Sequence, residues 1–243
     1  MNLVLLHEHD WIDDDLVLLH GHRAEHLSAL LKVAVGDCVR VGRIGGLRGE
    51  GVVMAVEPDG VKLRVHLHQQ PPTRHRFDVV LALPRPKMLR RILRTAAEFG
   101  VAHLHLINTA RVEKSYWQSP LLRADKVEEA LIAGMERSSD TVAPVIHLHK
   151  RFRPFVEDQL VEICAGRPCW IAHMGGERSL ADVPPVPAVV MIGPEGGFVP
   201  FEVELAEQVI AQRVHLGERV LSVDTALPTA LAQALHPPAA VMR

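Results

Sequence analysis

The sequence predicts an α/β protein: a small β-rich unit, then a larger domain in which strands alternate with helices around a parallel sheet. Three observations carry that expectation. Within residues 1–70, short apolar or alternating runs are separated by glycine and proline turns. From Val79 onward, buried-strand runs alternate with segments of helical period. Between the two lies Gln69-Gln70-Pro71-Pro72-Thr73, whose paired prolines continue neither strand nor helix, so the domains are placed at 1–70 and 74–243.

In the first domain, Leu27, Leu30 and Leu31 recur at helical spacing within Gly21–Lys32. Strands are expected at Val39–Val41, Gly51–Val56 and Val61–Leu67, with Gly45-Gly46 and Pro58-Asp59-Gly60 as turns. In the second domain, Val79–Leu83 reads as a buried strand and Pro86–Phe99 as a helix, with Pro86 suited to its first position and Gly100 to its end. That helix has an apolar face (Met88, Leu89, Ile92, Leu93, Ala96, Phe99) opposite a basic one. There follow a strand at Val101–Ile107, helices at Lys126–Met135 and Phe155–Cys164, and a strand at Trp170–His173. Ala188–Ile192 is an apolar strand, Pro200–Gln212 a helix, Val214–Leu216 a short strand, and an Ala/Leu-rich helix ends the chain. Alternation of this kind implies a parallel sheet with both faces covered.

The 243 residues, 48% hydrophobic and 23% charged, fit a globular chain and exclude a disordered one. No apolar run approaches the roughly 20 residues of a membrane span. The opening MNLVLLHEHDWIDDD lacks the basic flank of a secretory signal, so a cytoplasmic protein is expected. Cys38, Cys164 and Cys169 form neither a CxxC pair nor an even framework, which argues against disulfides and thiolate zinc. A net charge of -2 conceals an acidic start and a basic stretch from Arg74 to Arg94, the signature of an anionic partner or of a solvated helix face.

The strongest motif is Gly193-Pro194-Glu195-Gly196-Gly197, which leaves a buried strand and precedes a helix, where open α/β sheets bind ligands. Its glycines admit close approach of backbone N–H groups, and Pro194 stiffens the loop. It lacks the Lys-Ser/Thr of a phosphate loop and the spacing of a dinucleotide fingerprint. The alternative is a tight turn without a ligand. Leu216-Gly217-Glu218-Arg219-Val220-Leu221 is a second strand-end loop, with Asp224 and Thr225 beyond it as candidate caps of the last helix. Histidine pairs at spacing two (His7/His9, His20/His22, His66/His68, His103/His105, His147/His149) bring no further ligand at zinc-site spacing, so no metal is expected.

On these two loops the chain resembles the RsmE family, the 16S ribosomal RNA uridine-N3 methyltransferases of the SPOUT (α/β-knot) superfamily. Ile192 through Phe198, a helix, Leu216 through Leu221, and Asp224-Thr225-Ala226 carry the resemblance. Ala82-Leu83-Pro84-Arg85, Glu98-Phe99-Gly100-Val101 and Arg111 are similar to the family's first catalytic βα unit. His26-Leu27, Leu30-Leu31-Lys32 and Val35-Gly36-Asp37 are similar to its N-terminal PUA-like barrel.

The resemblance implies a PUA-like RNA-binding barrel, a C-terminal trefoil-knot domain, a homodimer, and S-adenosylmethionine as cofactor. It assigns the cofactor to Ile192, Gly193, Gly196 and Gly197, with Pro194 in the same loop, to Leu216, Gly217, Val220 and Leu221 around the adenine, and to His173 and Met174. Small-subunit ribosomal RNA would meet Arg23, Lys32 and Arg43 of the barrel, with Arg85, Lys87, Arg90, Arg91, Arg94 and Arg111 of the second domain. Arg219 is the candidate for stabilising negative charge on the uracil, and Glu195 or Asp224 for the base.

The chain departs from the family at Ser222 and Asp224, where arginine and glutamate are usual, at Thr95 in place of lysine, and at Met135-Glu136-Arg137-Ser138-Ser139-Asp140 in place of a Glu-Gln…Arg signature. Two alternatives follow: a relative that binds RNA without modifying it, and a methyltransferase for a different uridine.

Overall fold

A computed structural model describes residues 2–235. They divide into two compact units, one of residues 2–73 with 132–143 and the other of residues 74–131 with 144–235.

The first unit contains β1 (Val4–Leu6), β2 (Trp11–Asp13), β3 (Leu16–Leu19), α1 (Gly21–Glu25), β4 (Cys38–Arg43), β5 (Arg48–Glu57) and β6 (Gly60–Gln69). They form one six-stranded sheet in the order β1-β4-β5-β6-β3-β2. Only β1 and β4 run parallel; the other neighbours are antiparallel. Its core is Leu6, Val17, Leu19, Leu27, Val41, Val53 and Leu63, all fully buried. At Gly49 the pairing of β5 with β6 slips, and a Cβ there would lie 2.0 Å from the His66 carbonyl oxygen, so only glycine passes.

Within this core Arg23 turns inward. Its guanidinium donates to both Asp10 carboxylate oxygens at 2.5 and 2.8 Å and to the Leu5 carbonyl at 2.8 Å. Its side chain is 11% exposed and that of Asp10 1%. Burial pushes the Asp10 carboxyl up, but the Arg23 hydrogen bond and the His7 N–H outweigh it and hold the carboxyl below its usual range. Arg23 is therefore a structural ion pair, and the phosphate contact expected of it is corrected: the partner it needs lies inside the protein.

The second unit contains β7 (Phe77–Ala82), α2 (Pro86–Glu98), β8 (His103–Ile107), α3 (Ala124–Ser138), β9 (Val145–His149), α4 (Phe152–Pro154), α5 (Leu160–Cys164), β10 (Cys169–Ala172), β11 (Arg178–Ser179), β12 (Ala188–Ile192), α6 (Pro200–Val209), β13 (Ala211–His215) and α7 (Val223–Ala232). The end of α3, from Ile132, clusters with the first unit. The seven strands make a wholly parallel sheet in the order β11-β13-β10-β12-β7-β8-β9. Every residue of β7 and β12 is buried, as central strands covered on both faces require. No described helix is long and apolar enough to cross a membrane.

On one face of β8 and β9, in register at His105 and His147, four imidazoles stack. The His105 and His147 rings lie 4.3 Å apart, and His103–His147 and His105–His149 each share a hydrogen bond of 3.1 Å between ring nitrogens. Burial, reinforced by the neighbouring imidazoles, pulls the His105 pKa down to about 3. Among the described residues no group of three or more His, Cys, Asp or Glu is arranged to hold a metal ion.

Candidate functional site

β7 and β12 lie side by side at the centre of the sheet, yet the chain runs outward from β7 to β8 and β9 on one side, while β10 and β13 lie beyond β12 on the other. Such a reversal opens a crevice at the carboxyl ends of the central strands. A cavity of about 270 Å³ sits there, near the lower end of the roughly 300–1,000 Å³ usual for small-molecule clefts.

Three strand ends build its walls: Ala172 at the end of β10 with His173 and Met174 beyond it, Ile192 at the end of β12 with the loop through Phe198, and Leu216 with Arg219, Val220 and Leu221 after β13. Val223 and Ala226 of α7, together with Arg111, close it. The structure thus brings together all but one of the residues expected around the cofactor, Gly217 being the exception, and adds Glu195 and Arg219. Asp224 does not line the cavity. Arg111, expected at the RNA, is exposed and also lines it.

The Gly193–Gly197 loop packs closely against its neighbours. A Cβ on Gly193 would lie 3.0 Å from the Phe198 backbone nitrogen, and one on Gly196 would lie 2.8 Å from Arg111 Cδ. Gly197 has a φ of +72°, and its N–H closes the turn on the Pro194 carbonyl at 2.8 Å. Bare backbone therefore faces the cavity. Arg111 donates to the Gly196 carbonyl across its rim.

Two histidines end adjacent strands in the same way. His173 Nδ1 accepts the Gly175 N–H at 3.0 Å, and His215 Nδ1 accepts the Gly217 N–H at 3.1 Å. Both rings must keep Nδ1 unprotonated to do so. Burial, with the Arg213 charge, lowers the His173 pKa.

The candidate bases are differently placed. Glu195 faces Arg85 at 3.8 Å across the crevice. Asp224 takes a 2.9 Å bond from Arg91, and the Ser222 hydroxyl and Arg91 together hold its carboxyl below the usual range. Ser222 is the cap residue of α7, and Asp224 lies inside the first turn, a correction to the expectation that Asp224 or Thr225 caps.

Of the other basic residues, Arg90 pairs with Glu129 at 2.8 Å and Arg43 with Glu8 at 2.8 Å, both at exposed sites. Lys32 and Lys87 are exposed and Arg94 is half-buried. One residue beside the site escaped the sequence reading. Glu202, 3% exposed, accepts the Val199 N–H at 3.0 Å and the Ala110 N–H at 2.6 Å. Its position three residues into a helix is a capping signal, but nothing in the sequence marks it as buried.

Residues 71–235, which contain every wall of this cavity, match the family model of the RNA methyltransferase domain. The chain belongs to the RNA methyltransferase family. Among the relatives it resembles, ribosomal RNA small subunit methyltransferase E of Treponema pallidum is 28% identical over 97% of this chain and 91% of its own length. Ribosomal RNA small subunit methyltransferase E 1 of Borreliella burgdorferi is 25% identical over 93% and 94%.

Solved structures share the RNA methyltransferase fold seen here. A ribosomal RNA small subunit methyltransferase E from Neisseria gonorrhoeae, bound to S-adenosyl methionine, superposes with a TM-score of 0.74 at 19% identity, covering 96% of this chain and 95% of that one. A Legionella pneumophila protein with bound SAM gives 0.74 at 20% identity, covering 95% of each.

Proposed function

We propose that this RNA methyltransferase transfers a methyl group from S-adenosylmethionine to N3 of a uridine in 16S ribosomal RNA of the small subunit. The observation that carries the reading is the cavity at the reversal of the parallel sheet, walled by bare Gly193–Gly197 backbone. Its relatives' names supply the substrate class.

When bound, S-adenosylmethionine supplies a methyl group on a positively charged sulfur. The backbone of Ile192, Gly193, Gly196 and Gly197 would hold it, Leu216, Gly217, Val220 and Leu221 would take its adenine, and His173 and Met174 would close the end of the site. Arg219 stabilises negative charge developing on the uracil oxygen. Glu195, which lines the cavity while Asp224 does not, takes the N3 proton, and Arg85 orients it. Asp224, held ionised by Ser222 and Arg91, ties α7 to α2.

Lys32 and Arg43 in the first unit and Arg85, Lys87, Arg90, Arg91, Arg94 and Arg111 in the second are the candidate phosphate contacts, now without Arg23. In this reading the first unit is a PUA-like RNA-binding barrel, the second a trefoil-knot domain, and the working form a cytoplasmic homodimer. The test is calorimetric titration with S-adenosylmethionine, NAD and ATP, then methyl transfer to 16S RNA by the protein and by Arg219→Ala. Binding of the methyl donor alone, with transfer lost in the variant, supports the reading. Donor binding without transfer by the protein itself favours the RNA-binding relative suggested by Ser222. Absence of donor binding overturns the cofactor assignment.

A further inference from the structure

We propose that Glu202 is a positioning residue: its buried carboxylate fixes Arg111 against the Gly196 carbonyl and so sets the shape of the cavity. The proposal rests on reading that cavity as the S-adenosylmethionine site. Glu202 lies outside the lining, so it acts through Arg111.

The carboxylate does more than a helix start needs. One oxygen accepts the Val199 N–H at 3.0 Å, the local bond by which a glutamate caps its own helix. The other accepts the Ala110 N–H at 2.6 Å, from a loop 92 residues earlier in the chain. A surface glutamate would satisfy the first role. Here the side chain is 3% exposed, and among the described residues no cationic group pairs with it. Burying a carboxylate is unfavourable unless its oxygens are satisfied, and both are, with the positive end of α6 adding to the balance. A glutamine has one acceptor oxygen and one NH2 group, so it would keep only one of these two bonds and turn a donor toward the other N–H.

The consequence reaches the cavity in one step. Ala110 directly precedes Arg111, whose guanidinium donates to the Gly196 carbonyl and whose Cδ fills the space a Gly196 Cβ would take. The contacts close on themselves: Glu202 to Ala110, Arg111 to Gly196, and the Gly196 loop back to Val199 and Glu202. Opening the Ala110 link frees the Arg111 backbone and, with it, one wall of the site.

The test is calorimetric titration of the full chain with S-adenosylmethionine for the protein, Glu202→Gln, Arg111→Ala and the double variant, with melting curves as a folding control. Glu202→Gln should weaken binding by about tenfold, the effect of losing one hydrogen bond to a charged acceptor. In the Arg111→Ala background the same change should cost little more, because the wall it positions is already gone. Glu202→Asp, which keeps the charge with a shorter reach, should also weaken binding, and it serves if the glutamine variant does not fold. Unchanged affinity with only a lower melting temperature overturns the proposal, as do losses that simply add in the double variant. If the unaltered protein does not bind S-adenosylmethionine, the cofactor reading fails first and this proposal with it.

Discussion

Acidification from pH 7 to pH 5 should destabilise this protein, and His105 alone should account for about 2 kcal/mol of the loss. In the unfolded chain its imidazole titrates at the ordinary 6.5, whereas burial and the His147 and His149 rings hold it at about 3 in the folded sheet. Below pH 6.5 the unfolded chain therefore takes up a proton that the folded chain refuses until about pH 3. Stability is fully present above that window and falls through it by about 1.4 kcal/mol per pH unit. The side chain is 5% exposed, so solvent screening removes little of the effect. His105→Gln keeps an amide to bond His149 and removes the titration. Urea unfolding of both proteins at pH 7 and pH 5, followed by circular dichroism, isolates the difference because the remaining histidines are common to both. A pH-dependent loss about 2 kcal/mol smaller in the variant is expected. An equal loss in the two proteins would show that His105 is not held neutral in the folded sheet.

Arg23→Ala leaves the Asp10 carboxylate buried without its cation and should cost about 3–5 kcal/mol of unfolding free energy, read from urea titration; a loss below about 1 kcal/mol would make the pair a surface-like contact. Gly197→Ala forces a φ of +72° on a residue with a Cβ, so stability should fall by about 1–2 kcal/mol, read from the same titration. Gly196→Ala has no such backbone strain, but it displaces Arg111 by contact with its Cδ at 2.8 Å. It should weaken S-adenosylmethionine binding severalfold while the melting temperature stays nearly constant.

The central strands and the loops that leave them are the most legible part of the chain. Ala188–Ile192 is apolar at every position because both its faces are covered, and its end is marked by proline and glycine, so strand and loop are both read from composition. Strand β9 is silent for the opposite reason: at the sheet edge Val145 and Leu148 are half-exposed and two of its five residues are histidine. Strands β1 to β3 span three or four residues each, too few for a period to emerge, and β1 is held by parallel pairing to β4 across more than thirty residues. Gln212 marks the end of the helix expected from Pro200, yet β13 already begins at Ala211, where pairing with Cys169 overrides helical preference. Arg23 and Glu202 fail to announce themselves because the charge of a side chain is written in the sequence and its depth is not. Each is settled by a distant partner: Asp10 for one, the Ala110 N–H for the other.

The cavity has no contiguous segment of its own. Its walls come from Arg111, the ends of β10, β12 and β13, and the first turns of α7, stretches that meet only when the strand order reverses. A fragment that lacks any one of these strands lacks a wall of the pocket, so a ligand that fits it should favour the native sheet over partly folded forms. Occupancy then becomes a gauge of folding itself. At one hundred times its dissociation constant such a ligand would add about 2.7 kcal/mol to the native state, and the melting temperature would climb with ligand concentration. A thermal shift screen could in this way identify occupants of the pocket before any methyl acceptor is in hand.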